Sequence, residues 1–400
     1  MVRILRSLLA LALLVSMAAP GSFAQDTAKE ESFKFTDDIL IPVTSVKDQN
    51  RSGTCWSFSG NGLLEAELLR MGKGEHDLSE MYIVRTNYHD KAESYVRYHG
   101  TVNFAGGGSF EDVLYTLGHY GLMPEEAYRG LNYGEDNHVH DELDRVLKGY
   151  LDALINGRVN KLTTAWLQGF DGILDAYLGK VPETFTVAGV SYTPQSYAKS
   201  LGLDAANYVS ITSFSHHPFY QKFILEIPDN WRRATNWNVP LDELIAIIDN
   251  ALKQGYSVAW GSDVSERGFK YNKGVALVPI KQGQEVSGSE KLKWSTLTEA
   301  ERKRLLTEVN GPVPEQTITQ ELRQQAFDNW ETTDDHGMLI MGIAHDQDGN
   351  KYYKVKNSWT SDGIYEGYFY ASEAFVRYKT TNITVHKDAL PKNIRKKLGL

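Results

Sequence analysis

One cysteine in 400 residues constrains this chain more than any other feature. Cys55 sits in QNRSGTCWSF (residues 49–58), and without a second thiol no internal disulfide can form. Whatever fold the chain adopts must be held by its core. The composition allows that. Hydrophobic residues make up 42% and charged residues 23%, an ordinary globular balance, long enough for a large core in one domain or two lobes. A formal net charge of -9 offers no global attraction for nucleic acid or an anionic membrane.

The first residues read as an address. Arg3 and Arg6 form a basic start, and LLALALLVSMAA (8–19) is apolar but short for a membrane helix. SFA (22–24) places small residues at the two positions a signal peptidase reads. The expectation is a signal peptide over 1–24, cleaved near Ala24, with an exported (periplasmic or secreted) mature chain of residues 25–400. Losing Arg3 and Arg6 makes that chain more acidic still. No later stretch is apolar enough for a membrane span. In an oxidising compartment a lone thiol is a liability unless something requires it.

Residues 25–38 are polar and read as a short leader. After Cys55, Leu63, Leu64, Ala66, Leu68, Leu69 and Met71 suit a mostly buried helix that Gly72 ends. Residues 103–128 read as a glycine-rich loop, a helix from Ser109 and a turn at Pro124. From about 131 to 240 the pattern is mixed and mostly helical. VPLDELIAIIDNALKQG (239–255) is an amphipathic helix with Pro240 in its first turn, and SVAWGSDV (257–264) a strand. Thr298 and Glu301 make a capping box. From Gly337 the period shortens: GMLIMGIAHD, KYYKVKNSW and EGYFYAS read as strands. Helices early and strands late predict an α+β architecture.

Three stretches carry chemistry. Cys55 stands where a helix begins, and a helix N-terminus together with a nearby imidazolium stabilises a thiolate. His336 directly precedes a buried strand, which would hold its ring on a rigid element. Asn357 ends an alternating strand, where its amide oxygen can accept a proton from one imidazole nitrogen and fix the tautomer facing the thiol. Trp359, two residues on, can shield that bond from water.

Gln49 six residues before Cys55, the Cys-Trp-Ser-Phe run, a His before an apolar strand and then Asn-Ser-Trp resemble the papain superfamily of cysteine peptidases. The resemblance implies a two-lobed fold, a helical lobe carrying Cys55 and a β-barrel-like lobe carrying His336 and Asn357. It further implies Cys55 as nucleophile, His336 as general base, Asn357 as its orienting partner and Gln49 in the oxyanion hole. Ser52, where secreted relatives usually carry a disulfide cysteine, points to one branch, bleomycin hydrolase and aminopeptidase C. So do NYVSITSFSHHPFYQKFILEIPDNW (207–231), VAWGSDV and LTEAERKRL (297–305). That branch implies a thiol aminopeptidase acting on peptides. Its chain terminus enters the cleft, so Leu400 would anchor the substrate amino group, and it assembles as a homo-hexamer. Most of its members are cytosolic, unlike the exported chain expected here.

The basic tail HKDALPKNIRKKLGL (386–400) reads equally well as a solvated segment. His216-His217 has no metal-ligand cluster spaced around it in sequence, AGGGS (105–109) lacks the Lys-Ser/Thr of a phosphate loop, and DQDGN (346–350) lacks a calcium loop's twelfth-position glutamate. Neither cofactor nor metal is expected. The alternatives are an endopeptidase of the same fold and a non-catalytic binding protein; the charge argues against nucleic acid as a partner.

Overall fold

The computed structural model describes residues 32–157, 160–281, 297–361 and 363–400. The expected signal peptide lies outside the described residues. The first half is mostly helical: β1 (Thr36–Leu40), α1 (Cys55–Arg70), α2 (Glu80–Arg97), α3 (Phe110–His119), α4 (Asp141–Asn156), α5 (Ala165–Leu178), a hairpin of β2 (Phe185–Val187) and β3 (Val190–Tyr192), then α6 (Pro194–Leu201). Next come β4 (Tyr208–Thr212), β5 (Lys222–Ile224), β6 (Thr235–Asn238), α7 (Leu241–Lys253), β7 (Val258–Ser262), β8 (Phe269–Lys270), β9 (Val275–Ala276), α8 (Glu299–Glu308) and α9 (Gln320–Asp328). The chain closes with β10 (His336–His345), β11 (Lys351–Lys356), β12 (Tyr368–Ser372), α10 (Glu373–Lys379), β13 (Thr380–His386) and α11 (Lys392–Leu398). No helix among the described residues is long and apolar enough to cross a membrane.

α1 is buried on every side from Trp56 to Leu68, so its polar residues need internal partners. They have them. Ser57 Oγ donates to Glu80 O at 2.9 Å and Asn61 Nδ2 to Leu78 O at 3.2 Å. Glu65 accepts from Thr44 Oγ1 at 2.6 Å and pairs with Lys47 at 2.9 Å. On one side α1 meets the core of α2, α3, α4 and α5, where Leu64, Leu68, Val113, Leu147 and Phe170 are buried. On the other it meets β10 and β7.

The strands other than the β2–β3 hairpin form one sheet in the order β5-β6-β4-β13-β7-β10-β11-β12-β9-β8, with β1 added to β10. β10 pairs antiparallel with β7, in a register that sets His336 opposite Ser262. α7 and α10 cover the sheet's other face through Leu244, Ile248, Phe375 and Val376. This is the expected α+β class.

The structure departs from the sequence reading in three places. Part of the polar leader is a strand, because β1 pairs with β10 and Phe35 stacks on Tyr370 at 3.9 Å. The 131–240 stretch is mainly helical to Leu201, broken by the β2–β3 hairpin, after which β4, β5 and β6 join the sheet. The basic tail forms α11, whose Ile394 and Leu398 are buried in the core with α7.

Candidate active site

Cys55 opens α1 and His336 opens β10, so the site forms where the helical layer meets the sheet. The Gly337 backbone N–H donates to Cys55 Sγ at 3.3 Å, which fixes the thiol against the start of β10. His336 is buried, and its Nε2 lies 2.7 Å from Asn357 Oδ1. With Nε2–H committed to that oxygen, Nδ1 keeps the lone pair and is the nitrogen left to take a proton from sulfur. The Ser358 N–H also donates to Asn357 Oδ1, at 2.8 Å, so the amide is held from two sides. Trp359 stacks on the imidazole at 4.5 Å, backed by Tyr271 at 5.2 Å and Phe269 at 5.9 Å.

Gln49 is buried beside this group. Its Nε2 donates to Ser52 O at 2.8 Å, and its Oε1 accepts from Ser358 Oγ at 2.6 Å. One amide hydrogen remains for an oxyanion, next to the backbone N–H groups that open α1. The structure thus brings Gln49, Cys55, His336, Asn357 and Trp359 together.

The glycine-rich loop closes over the thiol. Trp56 Nε1 donates to Gly106 O at 3.0 Å, and a Cβ on Gly108 would come within 2.7 Å of the Trp56 ring. A Cβ on Gly107 would run into the Asp229 carboxylate. Only bare glycine backbone fits there. Gly108, Asp229, Asp334 and Asp335 line the cleft with Cys55 and His336.

This enclosure sets the resting charge. Burial pushes the Cys55 thiol up to about 12, and Asp229 and Asp334 push the same way against the Gly337 N–H. Burial lowers the His336 imidazole to about 4, although the Asn357 bond and Asp335 oppose it. Burial thus favours the neutral form of each group, while the Gly337 N–H and the start of α1 favour the thiolate. Burial, then the charge of Asp229, raises the Asp334 carboxyl to about 8, and its Oδ2 is buried without a hydrogen-bond partner.

Leu400 is the predicted site residue that the structure does not bring to the cleft. No residue of 386–400 lines it. The tail is held against α7 instead: Asn250 Nδ2 donates to Ala389 O at 2.7 Å, Lys397 pairs with Glu243 at 2.5 Å, and the Leu400 N–H bonds Arg395 O at 3.1 Å. The two apolar residues among its lysines, Ile394 and Leu398, are one helical turn apart, which favours packing over reaching out.

Sequence reasoning misses Asp229, Asp334, Ser358 and Asp263. Asp263 accepts from the Thr333 N–H at 2.9 Å and the Ser265 N–H at 2.8 Å, holding the segment that leads into His336. A polar residue ending a buried strand, as Asp263 ends SVAWGSD, is the one local signal for it. Asp229 comes from a turn far off in sequence and offers none.

Comparison with known proteins agrees with this geometry. The family described as "Papain family cysteine protease" matches residues 31–149, the part holding Gln49 and Cys55. The "Peptidase C1-like family" matches residues 314–399, the part holding His336 and Asn357. Aminopeptidase C of Lactobacillus delbrueckii subsp. lactis is 23% identical over 93% of this chain and 86% of its own length. Aminopeptidase C of Lactococcus lactis subsp. cremoris is 23% identical over 94% and 87%. The crystal structure of PepW from Lactobacillus rhamnosis HN001 superposes with a TM-score of 0.67 at 20% identity, covering 91% of this chain and 84% of that one, which shows a shared fold. The two papain-family matches and the aminopeptidase C relatives support a papain-like cysteine peptidase similar to the aminopeptidases C.

Proposed function

We propose that the protein is a thiol-dependent aminopeptidase that removes N-terminal residues from peptides through a Cys55 acyl-enzyme. The observation that carries this reading is the hydrogen-bonded line from Cys55 through β10 to His336 and Asn357, with Gln49 beside it. The Cys55 sulfur attacks the scissile carbonyl as its proton passes to His336 Nδ1. Gln49 Nε2–H and the Cys55 backbone N–H hold the oxyanion, an arrangement worth about 10²–10³ in kcat per donor. The new imidazolium keeps its Nε2–H on Asn357 Oδ1 and gives the Nδ1 proton to the leaving amine. Water, deprotonated by the same nitrogen, then cleaves the thioester and restores the thiol.

Asp229 and Asp335 place carboxylates along the cleft, which favours a substrate that brings a positive charge such as a free α-ammonium. Export of the mature chain, read from residues 1–24, belongs to the same proposal.

A cysteine endopeptidase of the same fold is the second reading. It is favoured by one observation, that the chain terminus does not occupy the cleft.

The catalytic assignment is tested with Cys55→Ala under reducing conditions. Peptide turnover should vanish, together with the mass shift that iodoacetamide gives the unsubstituted protein. Turnover surviving in Cys55→Ala would overturn it.

A further inference from the structure

His216 and His217 acquire in the fold the partner they lack in sequence. β5 turns back past them through Tyr220, whose φ is 63°, and delivers Glu226. Glu226 Oε2 lies 3.2 Å from His216 Nε2, and its Oε1 lies 2.9 Å from His217 Nε2. The three residues place their ligand atoms within 4.8 Å of one another.

The surroundings orient these rings. His217 stacks on Phe223 at 4.2 Å with an interplanar angle of 24°, and His216 lies at 20° to Phe327 at 5.9 Å. The Gln324 amide faces His216 Nδ1, with Oε1 at 3.3 Å and Nε2 at 3.0 Å. When Oε1 accepts the Nδ1–H, the lone pair falls on Nε2, toward Glu226. An outer amide fixing the tautomer in this way is what metal-bound imidazoles commonly have. The two Glu226 carboxyl oxygens each face one ring, so the three groups converge. Side-chain exposures of 30%, 35% and 55% for His216, His217 and Glu226 leave the group open to solvent.

We propose that His216 Nε2, His217 Nε2 and the Glu226 carboxylate form a binding site for a divalent first-row metal ion, Zn²⁺ before others, separate from the catalytic thiol. Two imidazoles and a carboxylate suit Zn²⁺, Ni²⁺ and Cu²⁺ and are poor for Mg²⁺ or Ca²⁺. Tetrahedral ligands about 2.0–2.1 Å from zinc sit roughly 3.3 Å from each other, close to the two His–Glu spacings already present, and the whole group lies within 4.8 Å. Three protein ligands leave the fourth position to water. Glu226 runs directly into Ile227 and Asp229, which line the Cys55 cleft, so the site sits at the root of one cleft wall.

The test is calorimetric titration of the metal-free mature chain with Zn²⁺. The Cys55→Ala protein is used, so that the thiol cannot serve as a ligand. One equivalent should bind, and His217→Ala or Glu226→Gln in that background should each weaken binding at least about tenfold. Binding that disappears with Cys55→Ala alone, or that both further substitutions leave unchanged, overturns the proposal. A measurement free of folding effects uses the unsubstituted protein. Zn²⁺ should slow carbethoxylation of His216 and His217 by diethylpyrocarbonate, read by peptide mass spectrometry; equal labelling with and without Zn²⁺ counts against the site.

Discussion

His336 Nε2 and Asn357 Oδ1 lie 2.7 Å apart, and that contact decides which imidazole nitrogen is free for Cys55. Asn357→Ala removes it and lets the ring adopt either tautomer. Acid–base catalysis contributes about 10²–10⁴ in rate, so the loss in kcat should approach the lower end of that range while KM changes little. Steady-state kinetics at fixed pH check this.

Gln49 acts on the oxyanion and not on the thiol. Gln49→Ala should lower kcat by about 10²–10³. The iodoacetamide rate of Cys55 should stay close to that of the unsubstituted enzyme, because the thiol's own contacts come from Gly337 and the cleft carboxylates. A parallel collapse of both rates would mean that Gln49 serves the local fold.

Burial favours the neutral form of both Cys55 and His336, and this has a sign. With the His336 imidazole lowered from 6.5 to about 4, the free base persists as pH falls past the ordinary imidazole value, and kcat/KM should decline only toward about 4. The thiol, pushed up to about 12, should alkylate ever faster as pH rises, with no plateau near the ordinary thiol value. Asp334, raised to about 8, gains its negative charge above that pH and then opposes the thiolate. Asp334→Asn should therefore speed alkylation above about pH 8 and leave it nearly unchanged below. Rate–pH profiles of both proteins read this directly.

The glycine loop leaves no room for a methyl group. Gly108→Ala sets a Cβ 2.7 Å from the Trp56 ring, which is buried and bonded to Gly106 O. Overpacking of this kind costs about 1–3 kcal/mol. Thermal unfolding should show a lower Tm together with lost activity, since Trp56 adjoins Cys55.

The tail is a core element. Ile394→Ala empties a buried position in the α7 core and should cost about 2–5 kcal/mol. Deleting Gly399 and Leu400, which lie beyond that packing, should leave both Tm and the preference for a free amine unchanged. Loss of that preference would restore Leu400 as the anchor.

Much of this is legible in sequence where one periodicity dominates. The run from Trp56 to Met71 reads as helix because its apolar residues crowd every face, and β10 reads as a strand because it is apolar on both sides. Cys55, His336 and Asn357 are legible because each stands at the end of such an element, where a side chain can be held rigidly. β1 is not: TDDIL has no strand pattern of its own and becomes one only by pairing with β10. The tail's lysines hide the pair Ile394 and Leu398. Asp229, Asp334 and Glu226 gain meaning only from what distant turns bring beside them.

The central claim is that a free α-amine enters the cleft beside Cys55. Two fluorogenic substrates with the same side chain, one with a free α-amine and one N-blocked, test it under reducing conditions, with Cys55→Ala as control. Cleavage of the free-amine substrate alone, absent in Cys55→Ala, is the predicted result. Equal or faster cleavage of the blocked substrate would contradict it and make the protein an endopeptidase.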